Sequence, residues 1–207
     1  MKPGSRSFLY RPTLPLYMPN HSELKERLVF LESFIKNPKQ VGSFTPSSQY
    51  LKKSMMKHID FSKARFIAEY GAGTGTFTKE LLKLARKDAK ILCFETNKGF
   101  CKYLKKIHDP RLIVINDGAQ NIIRYLKKHN ISSVDYVVSS LPFLHLDEKT
   151  KENIMKATNQ ALDAKGTFIT YRYTLTFSEF LKYYFKRISR VFVPLNLPPT
   201  FVYVCQK

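Results

Sequence analysis

The chain has 207 residues, 43% of them apolar and 25% charged, which suits one domain with a full-sized core. Its 35 Lys and Arg against 16 Asp and Glu leave a net charge of +19. Such a field attracts nucleic acid or an anionic membrane surface; a solvated, lysine-rich surface is the plainer alternative.

Cys93, Cys101 and Cys205 are odd in number and lack the spacing of a zinc site or a disulfide framework. A reducing cytoplasm is the expected compartment, and no metal is expected. No run approaches the roughly 18 apolar residues of a membrane span, and the N-terminus lacks a signal-like apolar segment. Any membrane contact is therefore expected to be peripheral.

In chain order, residues 1–20 hold four prolines (Pro3, Pro12, Pro15 and Pro19), which predict an extended arm. Asn20 and Glu23 have the spacing of a capping box. Leu24, Leu28, Leu31, Phe34 and Ile35 then recur as in an amphipathic helix that stops at Asn37-Pro38. Serines in GSFTPSS (42–48) can cap a further helix near 47–58. These segments form a helical cap over 21–58, and the main domain is expected over 59–207.

That domain alternates. Strands are predicted at 65–70, 90–95, 111–117, 134–140 and 166–174, and helices at 78–87, 98–107, 119–129, 148–162 and 177–190. Alternation of this kind builds parallel βαβ units covered on both faces. The last 17 residues, VFVPLNLPPTFVYVCQK, are two strand-like pieces around a proline corner too short for a crossover helix. The final strand should therefore run antiparallel to its neighbour.

EYGAGTG (69–75) follows a strand and opens a helix, where glycines let the backbone approach a ligand and the helix start offers free donors. The third glycine, Gly75, comes only two residues after Gly73, which departs from the dinucleotide spacing. Glu69, two residues before Gly71, disfavours a pyrophosphate and suits a cationic amino-acid ligand. Glu95 ends the second strand, placed to accept from ribose hydroxyls. Asp117, followed by Gly118 and Ala119, ends the third, placed to accept from an adenine amino group. Acids at three successive strand ends lie where open α/β sheets bind ligands.

With these residues the chain resembles the class I methyltransferases that use S-adenosylmethionine, over roughly residues 60–207. The resemblance implies a Rossmann-like α/β fold with a seven-stranded, mostly parallel sheet and an antiparallel last strand. It also implies that the loop after the fourth strand, Ser139-Ser140-Leu141-Pro142-Phe143, faces the transferable methyl group. Enzymes of this class that methylate adenine carry Asn or Asp where this chain has Ser140. A hydroxyl matches a planar amine donor poorly, although Phe143 is available to stack on a base.

FLESFIKNP (30–38), VGSFTPSS (41–48), SSLPFL (139–144) and LNLPPTFV (195–202) resemble the bacterial phospholipid N-methyltransferases. These are soluble enzymes acting on phosphatidylethanolamine, related to the ribosomal RNA adenine dimethylases. The match spans residues 27–204. It implies S-adenosylmethionine as cofactor, a phospholipid or related aminolipid as substrate, and an N-terminal helix lying on the membrane. Ser139, Ser140 and Pro142 are implied to shape the substrate side, with Ser47, Ser48 and Ser139 bordering the cofactor. A ribosomal RNA adenine methyltransferase is the alternative, followed by a small-molecule amine methyltransferase or a non-catalytic binding protein on the same fold.

Within 176–192, Phe177, Phe180, Leu181, Tyr184, Phe185 and Ile188 recur on one helical face, with Lys182, Lys186, Arg187 and Arg190 elsewhere. This is the pattern of an interfacial helix on anionic lipid, and equally of aromatics packed on a sheet beneath a solvated face. For the chemistry, His145 is a candidate base, and a lone loop histidine is as readily incidental. Tyr171 and Tyr173, at the end of the fifth strand, are further candidates to take the amine's proton or, instead, to face the growing methylammonium.

Overall fold

The computed structural model describes residues 48–173, 175 and 177–207. The arm over 1–20, the helix beginning near Asn20, and Ser47 lie outside the described residues. The elements are α1 (Gln49–Met56), β1 (Phe66–Tyr70), α2 (Thr76–Leu84), β2 (Lys90–Phe94), α3 (Lys98–Lys105), β3 (Leu112–Ile115) and α4 (Ile122–Lys128). They continue with β4 (Val134–Ser139), α5 (Glu148–Ala161), β5 (Leu162–Arg172), α6 (Phe177–Lys182), β6 (Arg187–Val193) and β7 (Thr200–Gln206).

Among the described residues the strands form one seven-stranded sheet in the order β3-β2-β1-β4-β5-β7-β6. β1 to β5 run parallel, and β7 is antiparallel to both β5 and β6. The seven-stranded Rossmann-like architecture with a reversed last strand is therefore present. The order turns at β1, which has β2 on one side and β4 on the other. Such a reversal of strand order is the topological switch point, and open α/β sheets bind ligands at the carboxyl ends of the strands there.

Side-chain alternation splits the core in two. Ile67, Ile91, Cys93, Val138 and Ile169 face α1, α2 and α3 through Leu51, Met55, Phe77, Leu81 and Leu104. Ala68, Tyr70, Leu92, Phe94, Val137 and Phe168 face α4, α5 and α6 through Ile122, Leu126, Met155 and Leu181. Both faces are covered, as a parallel sheet requires. No helix among the described residues is long and apolar enough to cross a membrane.

The helix expected over 177–190 is corrected. It ends at Lys182, and Arg187–Val193 is an edge strand paired with β7 from Arg187↔Gln206 to Val193↔Thr200. Ile188, Val191 and Val193 are β-branched and fit a ladder better than a helix. The interfacial-helix reading of 176–192 falls with it. Phe177, Leu181 and Phe185 are buried in the core, with Phe185 stacked on Phe168 at 5.6 Å and 8°. Their helical spacing came from one short helix and a loop packed on the sheet.

Candidate active site at the strand ends

The glycine loop leaves β1 with Gly71, Gly73 and Gly75 at φ of 71°, 54° and 83°. At Gly71 a Cβ would lie 3.1 Å from Leu141 Cδ2, so this loop rests directly on the corner after β4. Above Gly73 nothing comes within 4 Å, leaving open space. Gly75 is the N-cap of α2 and supplies no side-chain cap, so the first amides of that helix remain available to a ligand.

The three acids take different positions. Glu69 is fully buried beneath the loop, where its Oε2 accepts from the Thr78 hydroxyl (2.7 Å) and the Cys93 thiol (2.9 Å). Burial pushes its carboxyl upward, against the pull of those two donors. Its Oε1 is buried without a hydrogen-bond partner. Glu95 binds the loop to the end of β2: Oε2 accepts from the Gly73 amide and Oε1 from the Asn97 amide, both at 2.8 Å. Its backbone carbonyl in turn accepts from Asn116 Nδ2 (3.0 Å) and the Cys101 thiol (3.2 Å).

Asp117 accepts from the Gly118 amide (2.7 Å), Asn121 Nδ2 (2.8 Å) and the Tyr125 hydroxyl (3.0 Å). Partial burial works to raise this carboxyl, but the bonds from Asn121, Gly118 and Tyr125 hold it below the ordinary carboxylate range. Gly118 and buried Ala119 lead into the 3-10 turn that these bonds brace.

In the corner, the Ser140 amide donates to the Tyr70 carbonyl (2.9 Å), continuing the β1–β4 pairing. The Ser139 carbonyl accepts from the Thr170 hydroxyl (3.1 Å), and Ser139 itself is buried. Ser140 Oγ is buried without a partner. Pro142 starts a 3-10 turn over Phe143–His145, which leaves His145 exposed. Phe143, expected to be available for stacking, is instead fully buried, 5.2 Å from Phe177.

Tyr171 lies on the α2 side of β5, its ring 6.2 Å from Phe77 and 6.3 Å from Tyr173. Ser48 is the N-cap of α1, accepting from the Leu51 amide (3.1 Å) and donating to Asn196 Oδ1 (2.6 Å). Its hydroxyl thus holds α1 on the β6–β7 loop.

One group escaped sequence reasoning. Arg172, at the end of β5, is 6% exposed and has no carboxylate partner among the described residues. Its guanidinium lies 4.7 Å from the Phe143 ring centroid and 4.4 Å from that of Phe177. Nη1 donates to the Tyr171 carbonyl, while Nε and Nη2 have no acceptor. Burial pulls its pKa down to about 10, which still leaves it charged at neutral pH. Two ring contacts of about 0.5–2 kcal/mol each oppose the loss of two bonds at about 1–3 kcal/mol each. The signal was present: Phe168, Thr170 and Arg172 share one face of a strand whose Phe168 is core.

The sheet order and the braced strand ends are those of the class I, S-adenosylmethionine-dependent methyltransferase fold. Solved structures support this: the Thermus thermophilus 16S rRNA N2 G1207 methyltransferase aligns with a TM-score of 0.61 at 17% identity, over 82% of this chain and 45% of that one. A Burkholderia thailandensis 1,6-didemethyltoxoflavin-N1-methyltransferase with bound S-adenosylhomocysteine aligns at 0.58 and 12%, over 94% and 92%. Among curated proteins, the chain is 28% identical to the ornithine lipid N-methyltransferase of Singulisphaera acidiphila over 187 residues, 88% of this chain and 97% of that protein. A stretch of 51 residues is 41% identical to a Staphylococcus aureus rRNA adenine N-6-methyltransferase, 25% of this chain and 21% of that protein. No family model matches the chain.

Proposed function

We propose that this protein transfers methyl groups from S-adenosylmethionine to the amine of an aminolipid at a membrane surface, with an ornithine-type lipid or phosphatidylethanolamine as substrate. The observation that carries the reading is the near full-length similarity to an ornithine lipid N-methyltransferase. A corner without an adenine-reading side chain supports it.

The cofactor fits the residues present. The buried, unpartnered Glu69 Oε1 suits a cationic amino group, and the open space above Gly73 admits a ligand against the backbone. Glu95 and Asp117 retain spare lone pairs for ribose hydroxyls and an adenine amine. When bound, the cofactor would supply an electrophilic sulfonium methyl for the amine. The chain's task is to present a neutral amine lone pair in line and to exclude water. Ser140 and Pro142 border the approach over buried Ser139, and the buried Ser140 Oγ has an unused lone pair for the amine. The proton leaves to solvent or to exposed His145. Tyr171 would offer an aromatic ring to the methylated nitrogen, whose growing positive charge an aromatic face favours.

Ribosomal RNA adenine is the second reading, favoured by the short match to the Staphylococcus enzyme. It requires an aromatic platform at the corner, and Phe143 is held in the core by Phe177 and Arg172. The test is transfer of radiolabelled methyl from S-adenosylmethionine, run in parallel on aminolipid vesicles and on unmodified ribosomal RNA, with Gly73→Arg as control. Label in extractable lipid is the expected result; label in RNA alone overturns the proposal.

A further inference from the structure

We infer that the Nε–Nη2 edge of Arg172 anchors an oxyanion, a carboxylate or a phosphate, carried by the same molecule whose amine is methylated. This rests on the aminolipid reading and adds the group that holds the headgroup's oxyanion. Arg172 is a buried cation with no carboxylate to balance it among the described residues. Its two unmatched donors are adjacent, forming the fork that engages two oxygens of one planar or tetrahedral anion with parallel bonds.

Its place in the fold is equally specific. It ends β5, and its guanidinium lies over the ring of Phe143, three residues beyond Ser140. The Thr200 hydroxyl fixes its backbone carbonyl (2.8 Å), and the adjacent Phe143 and Phe177 rings both lie against its guanidinium. A structural arginine would have its donors matched, as Arg111 does with Asp109 and the carbonyls of Ala85 and Arg86. Arg172 instead keeps a charged edge buried and unmatched at the strand ends where the substrate must sit.

The arrangement also serves the chemistry. An anion held at Arg172 places the other end of a zwitterionic headgroup toward the corner, and the cation disfavours a protonated amine nearby. Ornithine-type and ethanolamine-phosphate headgroups both pair an amine with an oxyanion, and both fit this edge.

The test compares the full-length protein with its Arg172→Met and Arg172→Lys variants on vesicles containing ornithine lipid, its carboxyl methyl ester, or phosphatidylethanolamine. Arg172→Met should raise the KM for the preferred lipid on the order of a hundredfold while leaving cofactor affinity intact. It should melt no lower than the wild type, because it removes a buried unpaired charge, a result that a merely structural role would not give. Arg172→Lys keeps the charge without the fork and should recover only part of the affinity, which also serves if the Met variant does not fold.

Wild-type preference for ornithine lipid over its ester, abolished in Arg172→Met, identifies a carboxylate. The same Arg172 dependence with phosphatidylethanolamine identifies a phosphate. Lipid turnover with unchanged KM in both variants overturns the inference and leaves the lipid reading standing. If the wild type methylates no lipid, that reading fails, and soluble Nα-acetylornithine and O-phosphoethanolamine decide the inference. Raised melting of the cofactor-bound wild type but not of Arg172→Met supports an oxyanion site, and an equal or absent effect overturns it.

Discussion

Glu69 ties stability to pH through one buried carboxyl. Its carboxyl is raised by burial, so the native state holds that proton more tightly than the unfolded chain does. The cost of the charge is absent below the ordinary value of 4.5 and grows as pH rises through the interval up to the raised native value. Glu69→Gln should therefore gain stability relative to the wild type on going from acid to neutral pH, since its carbonyl can still accept from Thr78 and Cys93. Paired melting curves across that range check this, and a pH-independent difference contradicts it. Gly73 separates backbone strain from ligand space. With φ of 54° and no atom within 4 Å of a new Cβ, Gly73→Ala should cost about 1–2 kcal/mol of stability. Because the new methyl occupies the space proposed for the cofactor, titration calorimetry should show S-adenosylmethionine binding weakened at least roughly tenfold.

At the scale of elements, the β6–β7 hairpin and α1 brace each other through Ser48 and Asn196, whose Nδ2 also donates to the Pro198 carbonyl (2.8 Å). Ser48→Ala should cost about 1 kcal/mol for the lost cap and more for the unpaired amide oxygen, measurable by urea denaturation. Phe185 tests the revised reading of the segment after α6. As a core residue stacked on Phe168, it should lose roughly 3–5 kcal/mol on replacement by Ala, whether or not lipid is present. An interfacial residue would leave stability unchanged and weaken only vesicle binding. The boundary missed here, helix running on where β6 begins, was hidden because Ile188 continues the helical spacing of Phe177, Leu181 and Phe185. Pairing with β7 seven or more residues away decided it, and such pairing is invisible to a local window.

For the whole molecule, the charge of +19 is long-range and screened, unlike the contacts of the cofactor pocket. Sedimentation with anionic vesicles should therefore fall steeply as salt is raised, while cofactor affinity changes little. Edge strand β6 and the loop after it expose Phe192 (53%) and Leu195 (57%), and Arg190 shares the strand face of Phe192. Replacing both apolar side chains by Glu should reduce vesicle binding without loss of cofactor binding, and unchanged sedimentation would place the lipid contact elsewhere.

What the sequence determined by itself was local and periodic. The strand-helix alternation, the glycine turn after β1, the acids at three strand ends and the reversed last strand all follow from spacing and from loops too short for a crossover. What only the tertiary structure decided was where each polar atom finds a partner. Glu95 and Asp117 look alike as strand-end acids, yet one ties the glycine loop to β2 and the other braces a turn. Phe143 looked like a platform and is core, and Arg172, which no spacing singled out, is buried against two adjacent rings. Burial and hydrogen-bond partners depend on segments far apart in the chain, and those are brought together only when the sheet is assembled.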